Sequence, residues 1–291
     1  GQLVVTVSET DGNITYAATL NGQPVITPSA LGLKTNIANF TENLSIFNFQ
    51  SSIFNAQYQM RGTKASKANY HANQLTVDLQ NKAGQRFSII FQVSDHDIAF
   101  RYAIPRQKVG RREYKRALVY EELTSFNFPD GTTTFISPQI GPETGWEQTK
   151  PSYEEGYSAD APMNVKSQYG HGYIFPALFH LPNAWALVSE TGVGSNYCGS
   201  HLSDYQAGKG YTVTYPDKGE NNGVGSEFAG IPLPGETPWR TITVGTSLKP
   251  IVETTIANDL VTPKYQPSKE YTYGKGSWSW IIGMDSSCNF D

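Results

Sequence analysis

Apolar and polar residues alternate through much of the first hundred positions. Leu3, Val5 and Val7, then Ile14, Tyr16, Ala18 and Leu20, recur at a spacing of two, the period of a strand with one buried face. Asn21-Gly22 follows, a pair suited to the two φ > 0 positions of a tight hairpin turn, so the segment predicts the opening of a β-meander. The pattern is clearest between Leu75 and Ile104. Leu75, Val77 and Leu79 lead to a turn over 81–84; Phe87, Ile89, Phe91 and Val93 lead to a turn over 94–97; Ile98, Phe100, Tyr102 and Ile104 complete the set. Such alternation predicts antiparallel strands that share one core face. Further strands are predicted over 117–121, 173–181, 184–189, 211–215 and 240–244. The helical signal is confined to 250–260, with Pro250 in the first turn.

Beyond that helix the pattern changes. Residues 262–270 are polar and contain proline, as inter-domain connectors do. The stretch GKGSWSW then starts at Gly274, and Trp278, Trp280 and Ile282 alternate with no partner strand after them. The expected organisation is a β-sandwich over 1–261, a linker over 262–270, and the first strand of a second domain over 271–291.

Composition supports an all-β class: Gly, Pro, Tyr and Phe are abundant, and only 16% of the 291 residues are charged. The net charge of −4, with Arg111-Arg112-Glu113-Tyr114-Lys115-Arg116 as the single basic cluster, argues against nucleic acid or an anionic membrane as partner. No apolar run approaches the ~20 residues needed to span a bilayer. The start Gly1-Gln2-Leu3 and the low lysine content fit an exported protein, periplasmic or secreted, from which a leader has been trimmed. Cys198 and Cys288 lie far apart without metal-ligand spacing, and two free thiols are expected.

Local catalytic signatures are absent. There is no GxSxG segment, and the histidines at 71, 96, 171, 180 and 201 are scattered. The adjacent acids Glu121-Glu122 and Glu154-Glu155 point to opposite faces of a strand and cannot form local dyads. Two segments suit other chemistry. In the loop 146–156, Trp146, Tyr153 and Glu154 offer flat rings beside a hydrogen-bonding acid, the combination that packs on sugar rings. Glu190 ends an apolar strand just before a glycine turn, at a sheet end where sites gather. A single carboxylate cannot hold a calcium ion, which takes six to eight oxygens, so Glu190 serves as a ligand only with help from elsewhere.

Five segments in order, NGQPVITPSALGL (21–33), DIAFRYAIP (97–105), ALVSETGVG (186–194), TPWRTITVG (237–245) and GKGSWSW (274–280), resemble the amino-terminal region of glycoside hydrolase family 97. That family contains bacterial α-glucosidases and α-galactosidases. The resemblance implies a β-super-sandwich similar to the galactose mutarotase-like fold, packed on a catalytic (β/α)8 barrel that starts near Ser277–Trp280. It implies that the catalytic carboxylates lie on the barrel and none in this chain, so that the chain alone is inactive. It also implies a calcium ion to which Glu190 contributes, with an α-linked oligosaccharide and the chain's own barrel as partners. Two other readings are a self-sufficient carbohydrate-binding module, and a mutarotase-like enzyme that pairs His171 with Glu190.

Overall fold

Positive φ at both Asn21 (52°) and Gly22 (79°) closes the hairpin that the alternation predicts. Asp11 and Gly12, at 51° and 77°, close another within 3–20. Paired positive-φ residues match the twist of the flanking strands, and β1 (Leu3–Thr10), β2 (Asn13–Leu20) and β3 (Gln23–Leu31) form a three-stranded antiparallel sheet. The computed structural model describes residues 2–60, 64–141, 156–219 and 227–263, together with Gly274 and Gly276.

Against this sheet lies a ten-stranded one. Its order begins with β15 (Ala161–Pro162), β14 (Thr133–Phe135), β16 (Ala177–Leu181) and β17 (Ala184–Thr191). It continues through β22 (Trp239–Gly245), β9 (Asp97–Ile104), β8 (Arg86–Val93), β7 (Lys67–Asn81) and β6 (Leu44–Gln59), with β21 (Gly235–Glu236) paired to the end of β9. Two further sheets complete the facing layer. One runs β20 (Ala229–Pro232), β12 (Arg116–Glu122), β4 (Leu33–Thr35), β5 (Asn39–Phe40); the other runs β13 (Ser125–Phe126), β19 (Tyr211–Thr214), β18 (His201–Leu202). A ribbon of β10 (Gln107–Val109) and β11 (Arg112–Tyr114) stands apart from them.

The core sits between these layers. Of the predicted period-two positions, Val77, Leu79, Phe87, Ile89, Phe91, Ile98, Phe100, Tyr102 and Ile104 are buried in one cluster with Tyr16, Phe40, Val119, Phe126 and Tyr211 of the facing sheets, and Leu75 and Val93 pack against it partly buried. The architecture is the all-β sandwich that the pattern implies. Tyr16 shows how the layers lock. Its ring centroid lies 5.0 Å from that of Phe100, and its hydroxyl donates to the Ser125 carbonyl at 2.9 Å. Tyr16→Phe keeps the ring but leaves that buried carbonyl short of a donor, with an expected loss of about 1–2 kcal/mol, read from the denaturant midpoint at unchanged slope.

Three sequence expectations need adjustment. The strand expected over 173–181 begins only at Ala177, because Pro176 has no N–H to donate to a ladder; Tyr173 makes isolated bridges to Pro138 and Leu202 instead. The helix expected over 250–260 is two, α1 (Leu248–Glu253) and α2 (Ile256–Asp259). Thr254 breaks the run at ψ 140° and donates its hydroxyl to Asp97 at 2.8 Å. Finally, β6 is a 16-residue strand that alternation does not reveal. It edges the large sheet with Phe49 and Ile53 exposed, and a bulge between Ile46 and Asn48 shifts its parity. The expected linker beyond Pro263, Trp278, Trp280 and Cys288 fall outside the described residues; Cys198 is a free thiol, and burial pushes its pKa up to about 11.

Candidate functional site

Glu190 stands opposite Arg240 in the β17–β22 register, and Arg240 stands opposite Phe100 in the β22–β9 register. Period two therefore turns both Glu190 and Arg240 toward the sandwich interior. Arg240 is fully buried at 0% exposure, a position that only a paired guanidinium tolerates. Its partner comes from the facing layer. Glu122, at the end of β12, accepts from Arg240 Nε at 2.9 Å and Nη2 at 2.7 Å, a two-bond fork that ties the sheets together. Arg240 Nη1 completes the set by donating to Glu190 and, at 2.9 Å, to the Ser200 hydroxyl.

Around Glu122 the donor directions are fixed by elimination. Thr124 Oγ1 donates to Glu122 at 2.8 Å, so it accepts from Tyr102, 2.8 Å away; the Tyr102 oxygen in turn accepts from the Gly32 N–H at 3.0 Å. Tyr197 donates its one proton to Glu122 at 3.0 Å, so Tyr215 donates to Tyr197 at 2.7 Å. Burial alone would raise the Glu122 pKa. The charge and fork of Arg240, with the hydroxyls of Thr124 and Tyr197, outweigh it and hold the carboxyl below its ordinary range. Burial first, and then the charge of Glu122, push Tyr197 and Tyr215 well above the usual phenol range.

Glu190 occupies the open side of this network, its side chain 12% exposed. Oε2 receives Arg240 and the Ser200 hydroxyl, the latter at 2.7 Å, whereas Oε1 receives, among the described residues, only the Ser200 N–H at 3.0 Å. An oxygen with one hydrogen bond keeps a lone pair for a further partner. Two acids also share one guanidinium here, so an additional cation beside Glu190 would be balanced. The residues thus fit a single-ligand contribution to a calcium site. They do not make a site alone, because no three His, Cys, Asp or Glu side chains converge among the described residues.

His171 does not pair with Glu190. Its Nδ1 lies 2.5 Å from Asp217 Oδ2, and its ring packs on Gly141, where an added Cβ would lie 2.6 Å from Nε2. His201, next to Ser200 in the chain, is buried, and desolvation lowers its pKa. The pairing expected of a mutarotase-like enzyme is therefore absent from this arrangement. Trp146, Tyr153 and Glu154 lie outside the described residues. Arg240, Glu122 and Ser200 were not singled out from sequence. Arg240 had a signal, since it shares parity with Ile242 and Val244 in an apolar run; Ser200 had none.

A family model described as glycosyl-hydrolase 97 N-terminal matches residues 1–263. A crystal structure of a β-arabinopyranosidase is similar to the chain at 49% identity and a TM-score of 0.91, across 96% of this chain and 44% of that one. A glycoside hydrolase family 97 enzyme from Pseudoalteromonas sp. strain K8, solved with panose, shares the fold at 23% identity and a TM-score of 0.75, over 90% of this chain and 37% of that one. A probable retaining α-galactosidase of Streptomyces bingchenggensis (strain BCW-1) is 22% identical over 276 residues, 94% of this chain and 38% of the relative. The chain thus spans less than half the length of each.

Proposed function

The chain belongs to the glycosyl-hydrolase 97 N-terminal family, and we propose that in the intact protein it walls the sugar pocket of a hydrolase acting on galactose-configured pyranosides and lends that pocket Glu190 as one ligand of a calcium ion. The observation that carries the substrate class is the 49% identity to a β-arabinopyranosidase over 96% of the chain. An L-arabinopyranose ring is a D-galactopyranose ring without its hydroxymethyl group, and a β-linkage on the first corresponds to an α-linkage on the second. The names of that relative and of the probable α-galactosidase therefore describe nearly the same ring. Of the two expected substrate classes, glucosides and galactosides, this supports the second. Export to the periplasm or beyond accords with the composition.

A bound calcium ion would supply charge to orient carboxylates and to polarise a sugar oxygen or water. The chain's own part is positional. Ser200 and Arg240 fix the Glu190 carboxylate while leaving Oε1, which accepts the Ser200 N–H, a lone pair for the ion, and the Glu122 fork fixes Arg240. The carboxylates that act on the glycosidic bond belong to the rest of the protein, so the 291-residue chain by itself is expected to turn over no aryl glycoside.

The intact protein tests the reading with aryl α-galactoside, β-L-arabinopyranoside and α-glucoside. The first two are expected to exceed the third in kcat/KM by about tenfold or more, the ratio that one well-used pocket contact provides; a preference for the glucoside would refute the substrate class. Glu190→Gln in the same protein is expected to weaken calcium binding about 10–100-fold by calorimetry. Unchanged affinity in a folded variant would remove Glu190 from the ion's shell.

A further inference from the structure

A cavity of about 390 Å³ opens on the other face of the ten-stranded sheet, between the start of β7, the β8–β9 turn and the two short helices. Tyr70, Ala99 and Asp97 share that face, which the register β7–β8–β9 places opposite the sandwich core. Four acids line the cavity, Asp95, Asp97, Glu253 and Asp259, and two of them, Asp97 and Asp259, are each only 9% exposed. Every donor to Asp97 and Asp259 among the described residues is a neutral hydroxyl. Asp97 accepts from Thr243 at 2.5 Å, Thr254 at 2.8 Å and Ser94 at 3.2 Å; Asp259 accepts from Tyr58 at 2.5 Å and Thr255 at 2.9 Å. Neither has a cationic partner among the described residues. Three bases line the cavity: Lys249 pairs with Glu253, His71 meets Asn55, and His96 is exposed and, among the described residues, bonded to neither acid.

A second observation is independent of the acids. Tyr70, also lining the cavity, is 6% exposed, and its hydroxyl is buried without a hydrogen-bond partner among the described residues. It lies close enough to both acids that, after burial, their charges add to the rise in its pKa. Burial, and to a lesser degree Asp259, raise Asp97 as well. A buried unsatisfied hydroxyl beside two uncompensated carboxylates marks a missing oxygen-bound partner of positive charge.

We propose that this cavity is a binding site for a small, hard cation, held by the carboxylates of Asp97 and Asp259 and the hydroxyl oxygen of Tyr70, with threonine hydroxyls and water completing the shell. The donors are all oxygen, and among the described residues no third His, Cys, Asp or Glu converges on them, which selects an alkali or alkaline-earth ion over a transition metal. The site is separate from Glu190 and does not depend on the function proposed above.

Thermal unfolding of the protein in NaCl, KCl, CaCl2 and tetramethylammonium chloride at matched ionic strength tests this. One inorganic cation is expected to raise the midpoint with concentration, as a ligand bound only by the folded state must, while tetramethylammonium does not. Tyr70→Phe, which keeps the ring in place, is expected to weaken that response about tenfold in apparent affinity; Asp259→Asn should abolish it, and Glu190→Gln should leave it intact. Crystals grown with rubidium or strontium should show anomalous density between Tyr70 and Asp97. Equal responses to all four salts, a response lost with Glu190→Gln but kept with Asp259→Asn, or water alone at the site would overturn the proposal.

Discussion

Arg240→Met is expected to destabilise the protein by about 3–5 kcal/mol, the cost of leaving a buried carboxylate without its counter-ion. Glu122 would remain at the sheet interface with only the hydroxyls of Thr124 and Tyr197 donating to it among the described residues. The pH dependence gives the result a signature. In the parent protein the Glu122 pKa is depressed on folding, so its contribution is present above the unfolded value and is lost as pH falls through the lower folded value. In Arg240→Met the burial penalty is opposed only by the Thr124 and Tyr197 hydroxyls, the folded pKa is expected to rise above the unfolded one, and acidification across that window should recover stability. Denaturant midpoints of both proteins between neutrality and pH 4 check this. Parallel curves would mean that Arg240 contributes by packing alone. Adding Glu122→Gln to Arg240→Met should restore part of the loss, since the two sites share one network.

Gly172→Ala is expected to cost on the order of 3 kcal/mol or more, through positive-φ strain and a collision together. Gly172 holds φ 79°, and an added Cβ would lie 2.0 Å from the Leu202 carbonyl oxygen. The backbone has little room to yield. The Gly172 N–H donates to Ser167 Oγ at 2.9 Å, its carbonyl accepts from Gln139 at 2.8 Å, and the next residue, Tyr173, donates to the same Leu202 oxygen at 2.8 Å. Gly170 provides the control, with φ 78° but nothing within 4 Å of its added Cβ. Gly170→Ala should therefore show the conformational cost alone, about 1–2 kcal/mol. Equal thermal shifts for the two variants would refute the steric account. Because Leu202 follows His201 and Ser200, the damage at Gly172 should extend toward Glu190.

How far the site was legible depended on parity. The run from Leu75 to Ile104 announced its buried face because no residue interrupts the spacing of two, and Phe87, Ile89 and Phe91 are buried as that spacing requires. Arg240 followed the same rule and could have been flagged as a charge on a core face. Glu122 could not. The register shifts between Val119 and Glu121, and that irregularity turns an even-numbered acid inward on a strand whose odd-numbered Ala117 and Val119 are buried. Likewise β6 lacks alternation because, at the edge of its sheet, both of its faces are exposed from Phe47 through Asn55. Glu190 was read from resemblance, but its partners depend on which strands become neighbours, and Glu190 and Arg240 are separated by 50 positions.

The place of β22 in the large sheet bears on how this protein folds. Strands β14 to β17 lie on one side of it and β6 to β9 on the other, and in the strand order only β22 joins the two groups. It is also the last strand of the described chain, pairing Arg240 with Phe100 far back in sequence. Both groups must wait for it, a high-contact-order closure of the kind that slows folding. Arg240 arrives on that same strand, so Glu190 acquires its geometry only in the closing step. Chains interrupted before Trp239 should collect as two half-sheets with open edges, a species prone to associate during synthesis.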